Sequence, residues 1–185
     1  MAHAAARDPG LEVRIAPMRR RHLRSVSRIE RLVYPRPWST SLFMSELALR
    51  HSRAYYVARV DGIVVGYVGL MMTVDDGHIT TIAVDPAWQR QRIATRLMLV
   101  AAAEAIRRGA TSLTLEVRMG NRPAQELYRR FGFLPAGVRK NYYVETNEDA
   151  LVMWADDVDS DDYLQRLHRL EAKVEGTTVV EGDRT

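Results

Sequence analysis

Residues 82–99 read I-A-V-D-P-A-W-Q-R-Q-R-I-A-T-R-L-M-L, an apolar strand that leads through a polar turn into a helix. At the start of a helix the first backbone N–H groups lack partners within the helix, and the helix dipole adds a partial positive charge. Such a turn can bind a phosphate or pyrophosphate, and the small side chain of Ala94 lets the anion approach closely. Because many α/β crossovers look alike, this segment alone predicts an α/β fold with an anion site but no particular ligand.

Apolar periodicity on either side of this segment predicts a mixed sheet. Strands are expected at 11–15, 54–60, 63–74, 78–84, 112–117, 133–144 and 150–155. Helices are expected at 21–34, from Ser39 or Thr40 onward, at 91–108, and from Asn121 or Pro123 to Arg130. The segment Asp75-Asp76-Gly77 is expected to form a hairpin turn. The order β-α-α-β-β-β-α-β-α-β-β predicts an α/β fold with a mixed sheet in three layers, α-β-α.

The composition is that of one globular domain. Of the 185 residues 46% are hydrophobic and 27% are charged, no apolar run is as long as a membrane span, and there is no cysteine. The first ten residues lack the pattern of an export signal, so we expect a cytoplasmic protein. We expect a disordered lead-in at 1–10, the domain at 11–156, and at 157–185 an acidic linker, an amphipathic helix and a polar tail.

The sequence gives little indication that nucleic acid or metal ions are ligands. The net charge of +4 favours an anionic ligand, but the basic residues are dispersed, so no dedicated nucleic-acid-binding module is predicted. The histidines outside the lead-in show no metal-ligand spacing, and we interpret them as surface or structural residues: His22, His51, His78 and His168. We therefore expect no metal site and no membrane partner.

The turn at 89–94, Q-R-Q-R-I-A, resembles the Q/R-x-x-G-x-G/A segment of GNAT N-acetyltransferases, which implies their fold and acetyl-CoA as co-substrate. Arg92 stands where that family usually has its first glycine. A negative φ would make a non-glycine residue acceptable there, and a guanidinium can pair with phosphate, so we expect an altered pocket. The alternative is a degenerate turn that no longer binds. The residues expected to contact the cofactor here are Ile82, Ala83, Val84, Arg90, Gln91, Arg92, Ile93, Ala94 and Thr95.

The stretch 115–133, which contains L-E-V-R, N, L-Y and F-G-F, holds groups suited to acetyl transfer. A carboxylate can take a proton from an α-amine of pKa near ~8, and a phenol of pKa about 10 can protonate a departing thiolate. The resemblance to RimI-type enzymes makes Glu116 the general base and Tyr128 the general acid, and it assigns a cofactor contact to Asn121 and Tyr128. The structural alternatives are that Glu116 merely pairs with Arg118 or another surface charge, and that Tyr128 is a core aromatic with a solvent-exposed hydroxyl.

Two further segments resemble RimI-type enzymes, which acetylate the N-terminal alanine of a ribosomal protein. Residues 37–46 resemble the substrate-side P-W-S segment, and residues 139–151 resemble the R-x-x-Y-Y…D-A-L ending, so that the resemblance covers about 11–156. It implies substrate-binding roles for Trp38, Glu46, Tyr142 and Tyr143. The structural alternative places Trp38 in the core and the two tyrosines on opposite faces of a strand.

Three hypotheses for the function follow. The first is direct transfer from acetyl-CoA to the N-terminal amine of a small-subunit ribosomal protein in a ternary complex. The second keeps the transfer but changes the acceptor to another protein N-terminus, a lysine or a small-molecule amine. The third, motivated by the positive charge and by Arg92, is a catalytically inactive ribosome- or RNA-associated module that retains the fold.

Overall fold

The computed structural model describes residues 10–182, which form an eight-stranded sheet with five α-helices. The strand order across the sheet is β6-β7-β5-β4-β3-β2-β1-β8. The strands are β1 (Glu12–Pro17), β2 (Arg53–Val60), β3 (Ile63–Thr73), β4 (Asp76–Val84), β5 (Ser112–Arg118), β6 (Leu134–Tyr143), β7 (Glu148–Asp156) and β8 (Thr177–Val180). The helices are α1 (Leu23–Val33), α2 (Thr40–Ala48), α3 (Ile93–Arg107), α4 (Arg122–Arg130) and α5 (Asp161–Glu171).

The helices form one layer on each face of the sheet. α1 and α2 pack against β2, β3 and β4, and their buried side chains, such as Val26 and Phe43, form the smaller core. α3, α4 and α5 lie on the opposite face and contribute Leu97, Tyr128 and Leu167 to the larger core. The predicted three-layer fold and element order are confirmed, with one additional strand, β8.

Of the described α-helices, three begin at a capping side chain, and for two of them, α2 and α4, the cap was predicted from the sequence. Ser39 Oγ accepts a hydrogen bond from the Leu42 N–H at 3.1 Å, and Asn121 Oδ1 accepts one from the Ala124 N–H at 3.2 Å. Each bond satisfies a backbone donor that the helix itself leaves unpaired. The predicted starts of α2 and α4 are therefore confirmed.

A gap between β4 and β5 positions the candidate site. Among the described residues these parallel strands pair only from Asp76 to His78 and from Ser112 to Thr114. Beyond that point β4 stays paired with β3 as far as Val84, whereas β5 stays paired with β7 as far as Arg118. The C-terminal ends of β4 and β5 therefore diverge and border an opening in the sheet.

The C-terminal segment contains the predicted amphipathic helix and also a strand. α5 buries Tyr163 and Leu167 in the larger core, and β8 pairs in parallel with β1 at the edge of the sheet. The guanidinium of Arg96 on α3 is buried and donates hydrogen bonds to Thr178 Oγ1 and to the Glu175 carbonyl oxygen. A strand of four residues is too short for periodicity to reveal, so β8 was not predicted.

The predicted hairpin turn at Asp75-Asp76-Gly77 is wrong in register. Thr73 pairs with Asp76, so the loop consists of Val74 and Asp75, and Val74 adopts a left-handed φ of 55°. Gly77 lies inside β4, where a Cβ would come within 2.7 Å of Leu113 Cδ2. The glycine therefore permits close packing of β4 and does not form the turn.

Residues 10–182 contain no helix that is both long and apolar enough to cross a membrane. The same residues contain no group of three or more acidic or histidine side chains placed to hold a metal ion. The lead-in expected at 1–10 lies outside the described residues except for Gly10.

Candidate active site

Glu116 on β5 is the centre of a polar cluster on the sheet face that carries α1 and α2. Its Oε2 lies 3.0 Å from His78 Nε2, and its Oε1 lies 3.4 Å from a guanidinium nitrogen of Arg139. The hydrogen bond from His78, aided by the charges of His78 and Arg139, outweighs burial and lowers the pKa of the Glu116 carboxyl below 4.5. The group is therefore an ionised carboxylate at neutral pH, as a general base must be.

His78 is held on both sides of its ring. Its Nδ1 lies 2.7 Å from Thr114 Oγ1, and its Nε2 contacts Glu116. His78 and Thr114 form the last pair between β4 and β5, so this contact stands where the gap begins. The interpretation of His78 as merely a surface or structural residue missed its contact with Glu116. The sequence carried no signal for it, because the contact depends on pairing between strands that α3 separates.

Tyr128 lies on α4, is 6% exposed and belongs to the larger core. Its ring packs against Phe133 with centroids 6.0 Å apart, as expected of a core aromatic. Burial, with smaller contributions from Tyr34 and Tyr143, raises the pKa of the Tyr128 phenol well above its ordinary value of 10. The phenol is therefore protonated at neutral pH and has a proton to donate.

The end of β4 presents backbone donors to the gap. The Tyr34 hydroxyl donates to the Ile82 carbonyl oxygen at 2.6 Å, so that carbonyl points away from β3. In an antiparallel ladder the N–H and C=O of one residue point to the same side, which directs the N–H groups of Ile82 and Val84 into the gap. Ala83 instead packs in the smaller core. Tyr34 was not singled out from the sequence, where its segment indicated only the end of a helix.

The turn before α3 has left-handed backbone, which glycine favours, at residues that are not glycine. Arg92 is the N-cap of α3 with a φ of 61°, and Arg90 has a φ of 66°. The negative φ that would make a non-glycine residue acceptable at Arg92 is therefore not found. Left-handed backbone costs an ordinary residue about 1–2 kcal/mol. The side chain of Ile93 is buried in the core, so its predicted contact with the cofactor could involve only its backbone.

The two tyrosines predicted on the substrate side lie together near Glu116. The rings of Tyr142 and Tyr143 are perpendicular with centroids 5.1 Å apart. Burial raises the pKa of each phenol, and the charge of Glu116 adds a smaller contribution. The guanidinium carbon of Arg118 lies 3.9 Å from the Tyr143 ring centre. An irregular register between Arg139 and Tyr143 breaks the alternation of a regular strand, which explains why both rings can lie side by side.

Trp38 and Glu46 are held by contacts within the α1–α2 side of the molecule. The backbone N–H of Trp38 donates to Glu30 Oε1 at 2.9 Å, and the indole ring packs on Phe43 with centroids 5.3 Å apart. Glu46 Oε2 accepts hydrogen bonds of 2.7 Å from both Arg53 and Tyr55. These contacts account for both residues without a ligand, so their substrate-binding roles stay predictions. The cofactor contact of Asn121 likewise stays a prediction, because its Oδ1 caps α4.

Glu30, which the sequence did not single out, is 1% exposed and connects α1 to this segment. Its Oε2 has no hydrogen-bond partner among the described residues. Burial outweighs the hydrogen bond from Trp38 and raises the pKa of the Glu30 carboxyl to about 7. The Trp38 segment is therefore held by a carboxyl group that titrates near neutral pH.

Comparison with known families explains why these elements occur together. The sequence model described as "Acetyltransferase (GNAT) family" matches residues 23–133, which contain α1 to α4 and the strands bordering the gap. The chain belongs to the GNAT acetyltransferase family. A Bacillus subtilis (strain 168) relative, to which ribosomal protein bS18-alanine N-acetyltransferase activity is ascribed, is 39% identical over 137 residues. That match covers 74% of this GNAT chain and 91% of the relative.

Solved structures agree with this assignment. The ribosomal-protein-S18-alanine N-acetyltransferase from Escherichia coli superimposes with a TM-score of 0.72 at 30% identity, covering 78% of this chain and 94% of the other. The NatC complex bound to Gag peptide and CoA contains a chain that matches with a TM-score of 0.69 at 20% identity, covering 79% of this chain and 99% of that one, which shows the fold alone. This GNAT protein is an N-acetyltransferase with the expected fold.

Proposed function

We propose that the chain transfers the acetyl group of acetyl-CoA to the N-terminal α-amine of a protein, and that its acceptor is the alanine of a small-subunit ribosomal protein. The observation that carries the proposal is the ionised carboxylate of Glu116, which His78 holds beside the β4–β5 gap. The names of the bacterial relatives support the acceptor.

The residues around the gap fit acetyl-CoA, which supplies a reactive thioester. The backbone N–H groups at the start of α3 suit its pyrophosphate, and the exposed Arg90 adds positive charge. The pantetheine arm would enter the gap between β4 and β5. The N–H groups of Ile82 and Val84 would then donate to the acetyl oxygen and stabilise the negative charge that it gains during the reaction.

Glu116 and Tyr128 would carry out the two proton transfers of the reaction. Glu116, directly or through a water, removes the proton that a neutral amine must lose as it forms the C–N bond. The C–S bond then breaks, and the Tyr128 hydroxyl gives its proton to the departing thiolate. An α-amine of pKa about 8 is partly neutral near pH 7, whereas a lysine of pKa about 10.4 is almost fully charged. A carboxylate with a lowered pKa is a weak base, and it therefore suits the α-amine better.

Three acceptors test the proposal: an alanine-starting peptide, the same peptide with its α-amine blocked, and a lysine amide. We expect acetylation of the first only, measured as CoA release and confirmed by mass. Transfer to the lysine amide alone would contradict the α-amine assignment. Absence of both transfer and CoA binding, together with steeply salt-dependent RNA binding, would favour the inactive binding module.

A further inference from the structure

On the face that carries Glu116, the helices cover only part of the sheet. α1 and α2 pack against β2, β3 and β4, and among residues 10–182 we find no helix packed on this face of β5, β7 and β6. β6 is exposed along its length apart from its last residue, Tyr143. This area extends from Glu116, which Arg139 of β6 reaches across β7, to the edge of the sheet.

An apolar strip crosses the uncovered area, and strand register defines it. Glu116 pairs with Val152, and two residues earlier Thr114 pairs with Trp154, which in turn pairs with Leu134. Directly opposed residues of antiparallel strands point to the same face, so Val152, Trp154 and Leu134 share the face of Glu116. Trp154 is 38% exposed and Leu134 is 67% exposed. We call these three residues the β6–β7 strip.

The alternate residues of β7 show that the strip is not the margin of the core. Leu151 and Met153 point to the opposite face and are buried in the larger core with α3, α4 and α5. The core of β7 is thus complete without Trp154. Contiguous exposed apolar groups that include tryptophan are typical of protein-binding surfaces, where aromatic anchors contribute most of the affinity.

We propose that the β6–β7 strip binds the part of the acceptor protein that follows its N-terminal residue. This inference rests on the proposed function. We assign the strip to the acceptor protein because the strip adjoins the proposed active site: Val152 is the direct strand partner of Glu116. Strand spacing puts Trp154 about 8 Å and Leu134 about 12 Å from Glu116. An extended acceptor chain advances about 3.3 Å per residue, so the side chains that reach the strip are those at about positions three to five.

The test compares a three-residue and an eight-residue alanine-starting peptide, the longer one with apolar residues at positions three to five. Trp154→Ala and Leu134→Ser should each raise the KM of the long peptide, by about tenfold for Trp154→Ala, and leave kcat and the KM of the short peptide unchanged. Val138→Ser is the matched control: Val138 is 50% exposed on β6, but it pairs with Leu151 and so points to the opposite face. It should change neither KM.

CoA affinity and thermal unfolding, measured on the same variants, show whether each remains folded. If Trp154→Ala does not fold, Leu134→Ser provides the test. Equal KM values for the two peptides with the wild-type enzyme would overturn the inference, as would variants that raise both KM values alike. A change in sedimentation mass without a change in the KM ratio would identify the strip as a self-association surface and also overturn it. If the wild-type enzyme acetylates neither peptide, the proposed function itself fails.

Discussion

His78 Nε2 lies 3.0 Å from Glu116 Oε2, and this contact joins β4 to β5 at the point where the two strands begin to diverge. The histidine has two effects on the carboxylate. It fixes the direction of one oxygen, and it lowers the pKa of the carboxyl. His78 is thereby a positioning residue for the group to which we assign proton removal.

Replacement of His78 by alanine is expected to raise the pKa of the Glu116 carboxyl, because the largest cause of its lowering is removed. Carbon-13 NMR titration of labelled glutamate should show the Glu116 midpoint moving upward, and kcat should fall. Thr114→Val is the matched control, since it removes only the partner of His78 Nδ1 and should shift the midpoint less. An unchanged midpoint in His78→Ala would contradict the role given to the histidine.

Arg92→Gly is expected to stabilise the protein relative to Arg92→Ala by about 1 kcal/mol, because only glycine adopts the φ of 61° without steric cost. Both variants lose the guanidinium, so their difference isolates the backbone. Urea unfolding measures it. If the guanidinium contacts phosphate, CoA affinity should fall in both variants. An alanine variant as stable as the glycine variant would show that Arg92 carries no backbone strain.

Glu30 is expected to make stability fall as pH rises from about 4.5 to about 7, the values for its carboxyl in the unfolded and folded states. Between these values the folded state holds a proton that the unfolded state has lost, so the free energy of unfolding decreases with pH. The full effect is at most about 3 kcal/mol. Urea unfolding at pH 5 and pH 7.5 should show this dependence in the wild-type protein and a smaller one in Glu30→Gln. The exposed Glu126→Gln is the control, and equal dependence in all three proteins would contradict the assignment.

Gly176→Ala is expected to destabilise the attachment of β8. Gly176 has a φ of 81°, and an added Cβ would lie 2.4 Å from the Leu11 carbonyl oxygen. Release of β8 would also leave the buried guanidinium of Arg96 without Thr178. Hydrogen exchange should increase in β8 and β1. Gly182→Ala, where the added Cβ meets nothing within 4 Å, should behave as the wild-type protein, and similar exchange in both variants would contradict this account of the tail.

The order of elements was predictable because it depends on local signals. Apolar periodicity gave the strands and helices, and Ser39 and Asn121 indicated where two helices begin. The stretch 115–133 likewise carried its candidate base and acid within one strand and the next helix. A motif of this kind can be recognised in the sequence because its members lie on consecutive elements.

The remaining features depend on contacts between distant strands. His78 meets Glu116 only because β4 and β5 are paired at that level, and Tyr34 reaches Ile82 from the end of α1. The hairpin at Val74 was misplaced because Gly77, a typical turn residue, is needed for packing against Leu113. β8 was not predictable because it has only four residues and its partner, β1, lies near the other end of the chain.

The most direct test of the central claim is acetyl transfer to an alanine-starting peptide by the wild-type enzyme, Glu116→Gln and Tyr128→Phe, with CoA affinity measured calorimetrically on each. We expect Glu116→Gln to lower kcat by about 100-fold or more and Tyr128→Phe by a similar order, while CoA affinity stays unchanged. Full activity in both variants would contradict the assignment of proton transfer to this carboxylate and this phenol.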